Sequence, residues 1–156
     1  MYYEGLLALH AVAPRAFYRE HALPWAEHHD FGLRAPASNA DNQCAGQAYI
    51  ELYQLDGGSD SQRIAAIKAS IDSLVSGGNS ASWTWIDAIQ MSMPIFAQLA
   101  ALSGDATYLA RMHDFYLHTR DIEGGGLYDR AKHLWWRDSK WQPEAQLTYS
   151  PPRFGC

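Results

Sequence analysis

Apolar residues recur at three- and four-residue intervals through most of this chain, broken by short Gly, Ser and Pro punctuation, and nothing before Gly124 alternates strictly enough to form a strand. A chain patterned in this way folds as helices that pair, because each apolar stripe must be covered by another. The pattern predicts a first helix over residues 3–13 and a second starting at Pro14, in which Phe17, Trp25 and His28 share faces and Pro24 introduces a bend. A third helix over 41–55 ends at Gly57–Gly58. A fourth over 60–75 carries Ile64, Ile67, Ile71 and Leu74 on one stripe before Gly77–Gly78. A fifth over 87–103 is followed by a sixth over 105–119, with Leu109, Met112 and Tyr116 spaced to share a face. The fold class read from the sequence is all-α, built of helical hairpins.

With 47% hydrophobic and 19% charged residues, the 156-residue chain has the balance of a globular domain with a modest core. A formal charge of −5 without a Lys/Arg run excludes nucleic acid as an expected partner, since phosphate binding needs a basic surface. Cys44 and Cys156 give neither a disulfide framework nor paired metal-ligand spacing, so both read as free thiols. The opening YYEGLLALHAV lacks a basic n-region and reads as an amphipathic helix rather than an export signal or a membrane span. The expected location is cytoplasmic as written, or periplasmic or secreted if an N-terminal signal is missing.

Two acids stand out by position. Asp41 and Asp87 lie 46 residues apart, about one helical hairpin, and each opens the first helix of its pair. Such a repeat puts both at helix N-termini, where the partial positive charge of the helix end favours anions. An acid in a first turn is also an ordinary capping residue, and on position alone both roles stand for Asp87 and Asp41.

Three stretches carry a resemblance: NADNQCAGQAYIELY, then WTWIDAIQMSMPIFAQLAALSGD, then GGLYDRAKHLWWRDSKW. In this order and at these gaps the chain resembles the unsaturated glycuronyl hydrolases of glycoside hydrolase families 88 and 105, and within them the unsaturated rhamnogalacturonyl hydrolases. The resemblance implies an (α/α)6 barrel of six inner and six outer helices. The complete family domain is roughly twice this length, so residues 1–156 are expected to form a single partial domain lacking its C-terminal half. It also implies the chemistry. The substrate is an unsaturated uronyl di- or oligosaccharide with a C4=C5 double bond left by a polysaccharide lyase. The reaction is hydration of a vinyl ether: the catalytic acid, which falls on Asp87, protonates C4, water adds at C5, and the hemiketal collapses to release the rest of the saccharide. The acid must be protonated near neutral pH, which an aromatic wall (Trp83, Trp85) and a neighbouring carboxylate (Asp41) can promote by disfavouring its ionised form.

By the same resemblance Asp41 is the second acid, binding ring hydroxyls and holding the catalytic proton, and His133 lines the substrate site. Tyr2 and Gly5 occupy the family's aromatic-x-x-Gly position, although the family aromatic is commonly Trp; Tyr2 would stack on a sugar. Residues 124–126, three glycines, are expected to turn a short hairpin that brings His133 over the barrel mouth, with Arg137 and Asp138 pairing structurally. No cofactor is called for. No metal is expected, because His28 and His29 are adjacent, and no i, i+4 His pair has a supporting acid on its face. No GxSxG elbow is present, and Cys44 in mid-helix has no identifiable base.

The chain departs from the family at its end, where LTYSPPRFGC stands in place of an S-R-G-x-G-W-like segment that would supply an Arg and a Trp to the sugar. A truncated or frameshifted gene product is the expectation, with self-association through exposed half-barrel faces. The competing reading is a non-catalytic remnant, or a helical-hairpin module that binds carbohydrate or protein.

Overall fold

A computed structural model describes residues 2–77 and 82–142. The chain divides into two compact units, Met1–Ser76 and Gly77–Cys156. The all-α class holds: seven α-helices account for nearly all the regular structure among the described residues.

The first unit contains α1 (Tyr2–Val12), α2 (Ala16–His28), α3 (Ala40–Gln43), α4 (Ala45–Leu55) and α5 (Gln62–Ser76). The second helix begins at Ala16, not Pro14, because Arg15 is still extended at φ −139°, and it continues through Pro24 to His28. The predicted helix over 41–55 is two pieces that meet at Cys44, which closes α3 and opens α4. Leu7 of α1, Ala22 and Ala26 of α2, and Ala48, Tyr49 and Leu52 of α4 bury against one another with Phe31. Trp25 lies between Tyr3, stacked at 4.1 Å, and Tyr49 at 5.4 Å. The Ile64/Ile67/Ile71/Leu74 stripe of α5 is buried as its spacing requires. It packs closely on α4: a Cβ on Gly46 would come within 2.3 Å of Ile67 Cγ1, so only glycine fits there. Asp56, just beyond α4, binds both Arg19 of α2 and Arg63 of α5. Burial alone would push its carboxyl up, but the hydrogen bonds from Arg19 and Arg63 outweigh this and hold it below the usual range.

The second unit is the hairpin of α6 (Asp87–Ser103) and α7 (Thr107–Asp121), followed by a two-stranded ribbon, β1 (Tyr128–Asp129) and β2 (Leu134–Trp135). Gly104, at φ +71°, ends α6 with its N–H on Ala100 O, and just ahead of α7 Asp105 Oδ1 accepts from Thr107 N and Oγ1. Asp105 therefore lies before the helix, with Ala106 at the N-cap position. The buried face of α7 is Tyr108, Phe115 and Thr119, whereas the expected stripe through Leu109 leaves Leu109 exposed. The aromatic ring at 108 won the buried position. Trp83, Phe96 and Phe115 form the centre of this unit, Trp83 stacked on Phe115 at 5.1 Å and edge-on to Phe96 at 5.8 Å.

Candidate active-site residues

In the first unit one contact joins α1, which carries Tyr2 and Gly5, to the residues that follow Asp41. The Cys44 thiol donates to Glu4 Oε1 at 2.9 Å, tying the first turns of α1 to the junction just after α3. Burial, reinforced by the Glu4 hydrogen bond, pushes the Cys44 thiol up to about 12, so it stays protonated and is no nucleophile. Gln43 anchors the other side of α3: its amide donates to Ser70 Oγ at 2.8 Å, and Ser70 in turn donates to Ala37 O at 2.6 Å.

The cap of α3 is Asn39, whose Oδ1 accepts from Asp41 N–H at 2.8 Å. Asp41 was a candidate for that capping role, and the structure gives it to Asn39. The exposed Asp41 carboxylate makes no hydrogen bond or ion pair among the described residues. Tyr2 is 65% exposed and edge-on to Tyr3. Gly5 is equally open, and a Cβ there would meet no atom within 4 Å, so packing gives no reason for a glycine in mid-helix.

In the second unit Asp87 is the first residue of α6. Ile86 precedes it without a side-chain cap, and Asp87 is exposed with no hydrogen bond or ion pair among the described residues. The backbone that delivers it is fixed from two sides. Thr119 Oγ1 donates to Trp83 O at 2.7 Å inside the core, and Ile86 N–H donates to Arg137 O at 2.9 Å, next to an antiparallel bridge of Trp85 with Asp138. Trp85 is half-buried on this segment. Trp83 is 1% exposed, with its ring against Phe96 and Phe115, so it is a core residue rather than part of an exposed aromatic wall.

His133 closes the turn between β1 and β2. That turn spans residues 130–133, so the glycines at 124–126 do not make it. They form an earlier 3-10 turn with positive φ at all three, and a Cβ on Gly124 would come within 2.3 Å of Ser139 Cβ. The hairpin turn is built instead by Asp129, whose Oδ1 accepts from Ala131 and Lys132 N–H, both at 3.0 Å. Those backbone N–H bonds from Lys132 and Ala131, with the Lys132 charge, outweigh the opposing effect of burial and keep the Asp129 carboxyl below its usual range. His133 is exposed, with φ +57° and Nδ1 3.2 Å from Tyr128 Oη. Arg137 and Asp138 pair at 3.2 Å as expected. Sequence reading missed the supports Asn39, Gln43, Thr119 and Tyr128; only Asn39, one residue before a helix start, carried a recognisable signal.

Among the described residues no group of three or more His, Cys, Asp or Glu is placed to hold a metal ion, and no helix is long and apolar enough to cross a membrane.

The model of the family described as Glycosyl Hydrolase Family 88 matches residues 1–152. Comparison with curated proteins gives no match. Among solved structures, one described as a polysaccharide lyase superposes with a TM-score of 0.81 at 25% identity, covering 91% of this chain and 43% of its own. Another, described as a glycosyl hydrolase family 88 protein from Bacteroides vulgatus, has a TM-score of 0.81 at 23% identity, covering 90% of this chain and 44% of its own. The present chain thus spans less than half the length of either structure, and the helical-hairpin fold is common to all three.

Proposed function

This chain belongs to glycosyl hydrolase family 88, and on that premise we propose that it carries the catalytic acid of a hydrolase for unsaturated uronyl saccharides, with rhamnogalacturonan fragments as the substrate class. The observation that carries the reading is Asp87: an exposed first-turn carboxyl that caps nothing and pairs with nothing among the described residues, on a backbone segment held at both Trp83 and Ile86. Beyond the positive end of α6 itself, nothing among the described residues engages the Asp87 carboxyl, which leaves it open to a group outside the chain.

In the proposed reaction the Asp87 carboxyl gives its proton to C4 of the C4=C5 vinyl ether while a water oxygen bonds to C5. The water loses a proton back to the carboxylate, which restores the acid. The hemiketal at C5 then opens to a ketone, and the ring C1 hemiacetal centre so formed releases the remaining saccharide as an alcohol. Asp41 serves as the second acid and hydrogen-bonds ring hydroxyls, His133 binds the sugar, Trp85 supplies an aromatic surface, and Tyr2 stacks where Gly5 leaves room. Trp83 acts indirectly, as the core anchor of the segment.

The test is turnover of an unsaturated galacturonyl-rhamnose disaccharide, read as loss of the ultraviolet absorbance of its double bond. Asp87→Asn is expected to lower kcat by about 10²–10⁴ with no loss of cooperative unfolding. Full activity in that variant overturns the mechanism. The likeness to a structure described as a polysaccharide lyase favours one second reading, elimination on an intact uronate polymer. That chemistry creates the double bond, so absorbance would rise on polymer and stay constant on the disaccharide.

A further inference from the structure

His133 occupies a backbone position that suits glycine better: φ +57° closes the 130–133 turn in the left-handed region, where a side chain carries a steric cost. An exposed imidazole that contributes nothing to packing would give no return for that cost. This one, however, is fixed. Its Nδ1 lies 3.2 Å from Tyr128 Oη, and Tyr128 sits directly across the ribbon from Trp135, ring centres 5.1 Å apart. Trp135 in turn meets Tyr116 of α7 at 6.1 Å. The ribbon is tied down independently of these rings by Arg130 to Asp121 at 2.7 Å, by Leu127 N–H to Thr119 O and by Trp136 N–H to Leu127 O. Helix α7 therefore supports a relay of aromatic contacts that ends on one nitrogen of one exposed histidine.

A phenol is a good donor and a neutral imidazole has one strong acceptor nitrogen, so the favoured arrangement is Tyr128 O–H donating to Nδ1. The bond one ring nitrogen makes decides where the proton sits on the other. We infer that Tyr128 is a positioning residue for His133, holding the imidazole as its Nε2–H tautomer so that a defined N–H donor faces a saccharide oxygen. The saccharide rests on the function proposed above; the tautomer does not. Without the phenol the ring keeps its place in the turn but loses its preferred orientation and samples both tautomers. The effect on substrate is then a loss of binding, not of proton transfer.

The experiment uses the full chain with ¹⁵N-labelled histidine. In the wild type the His133 Nδ1 resonance is expected in the unprotonated range and Nε2 in the protonated range. In Tyr128→Phe both move towards the averaged position, while Trp135→Phe, which perturbs packing and keeps the hydroxyl, leaves them in place. On the unsaturated disaccharide Tyr128→Phe is expected to raise KM by about tenfold, one hydrogen bond's worth, with kcat nearly unchanged and no further loss when combined with His133→Ala. A proton on Nδ1 in the wild type overturns the inference even if Tyr128→Phe fails to fold, and so does an unchanged tautomer in that variant. An expected tautomer with no turnover by the wild type sinks the proposed function and leaves the role of Tyr128 standing.

Discussion

Thr119→Val removes a single hydroxyl that is completely buried and has one task. Thr119 Oγ1 donates to the carbonyl of Trp83 at 2.7 Å, and the two residues are 0% and 1% exposed, so water does not replace the lost donor. A buried acceptor left without its partner costs about 1–3 kcal/mol. The valine methyl that replaces the hydroxyl returns about 0.8 kcal/mol of apolar burial, so the net cost is about 0.2–2.2 kcal/mol. For a chain of this size each kcal/mol lowers Tm by about 2–4 °C, and the expected drop is therefore up to about 9 °C. The same substitution frees the segment that leads into Asp87, so kcat should fall further than the loss of stability explains at temperatures well below Tm. Urea unfolding followed by tryptophan fluorescence gives the stability, since Trp83 leaves the core on unfolding. An unchanged midpoint with an unchanged m value would refute the reasoning, because it would show that the Trp83 carbonyl is satisfied without Thr119.

Three further outcomes are expected. Gly5→Ala should raise stability by about 0.5–1 kcal/mol, because its Cβ enters open space; if a sugar approaches there, KM rises in the same variant, and loss of stability would show that the glycine serves packing after all. Asn39→Ala should cost about 1 kcal/mol as a lost cap, while Asp41→Ala stays within about 0.5 kcal/mol; the reverse order in a thermal melt would return the capping role to Asp41. Burial pushes the Glu51 carboxyl above its usual range, with His10 opposing and Glu4 adding to the shift. The folded state thus holds that proton more tightly than the unfolded chain does, so stability should fall as pH rises from about the ordinary 4.5 through the folded value and then level off. Glu51→Gln should flatten that slope in urea unfolding measured across pH, and an identical slope would assign it to another group.

The helices and their order were legible because each apolar stripe has a helical period and each break has its own residue type: Gly57–Gly58 in left-handed conformation after α4, the stripe from Ile64 to Leu74, and α6 over its full range. The family was legible from short motifs in order. Which of two neighbouring faces turns inward was not. On α7 the choice between Leu109 and Tyr108 depends on what lies opposite, and the burial of Trp83 likewise depends on the Phe96 and Phe115 rings it meets.

Local chemistry alone thus determined the helical class, the hairpin pairing and the two first-turn acids, because periodicity, caps and turns depend on residues a few positions apart. Tertiary structure decided what those acids are free to do. It gave the cap at α3 to Asn39, left Asp41 and Asp87 without partners among the described residues, and fixed the segment before Asp87 through Thr119 and Arg137. It also moved the hairpin turn from the glycines to Asp129 and set His133 against Tyr128. Each of these is a contact between groups distant in sequence or a competition among neighbouring polar groups for the same backbone N–H, and a one-dimensional pattern does not record who wins it.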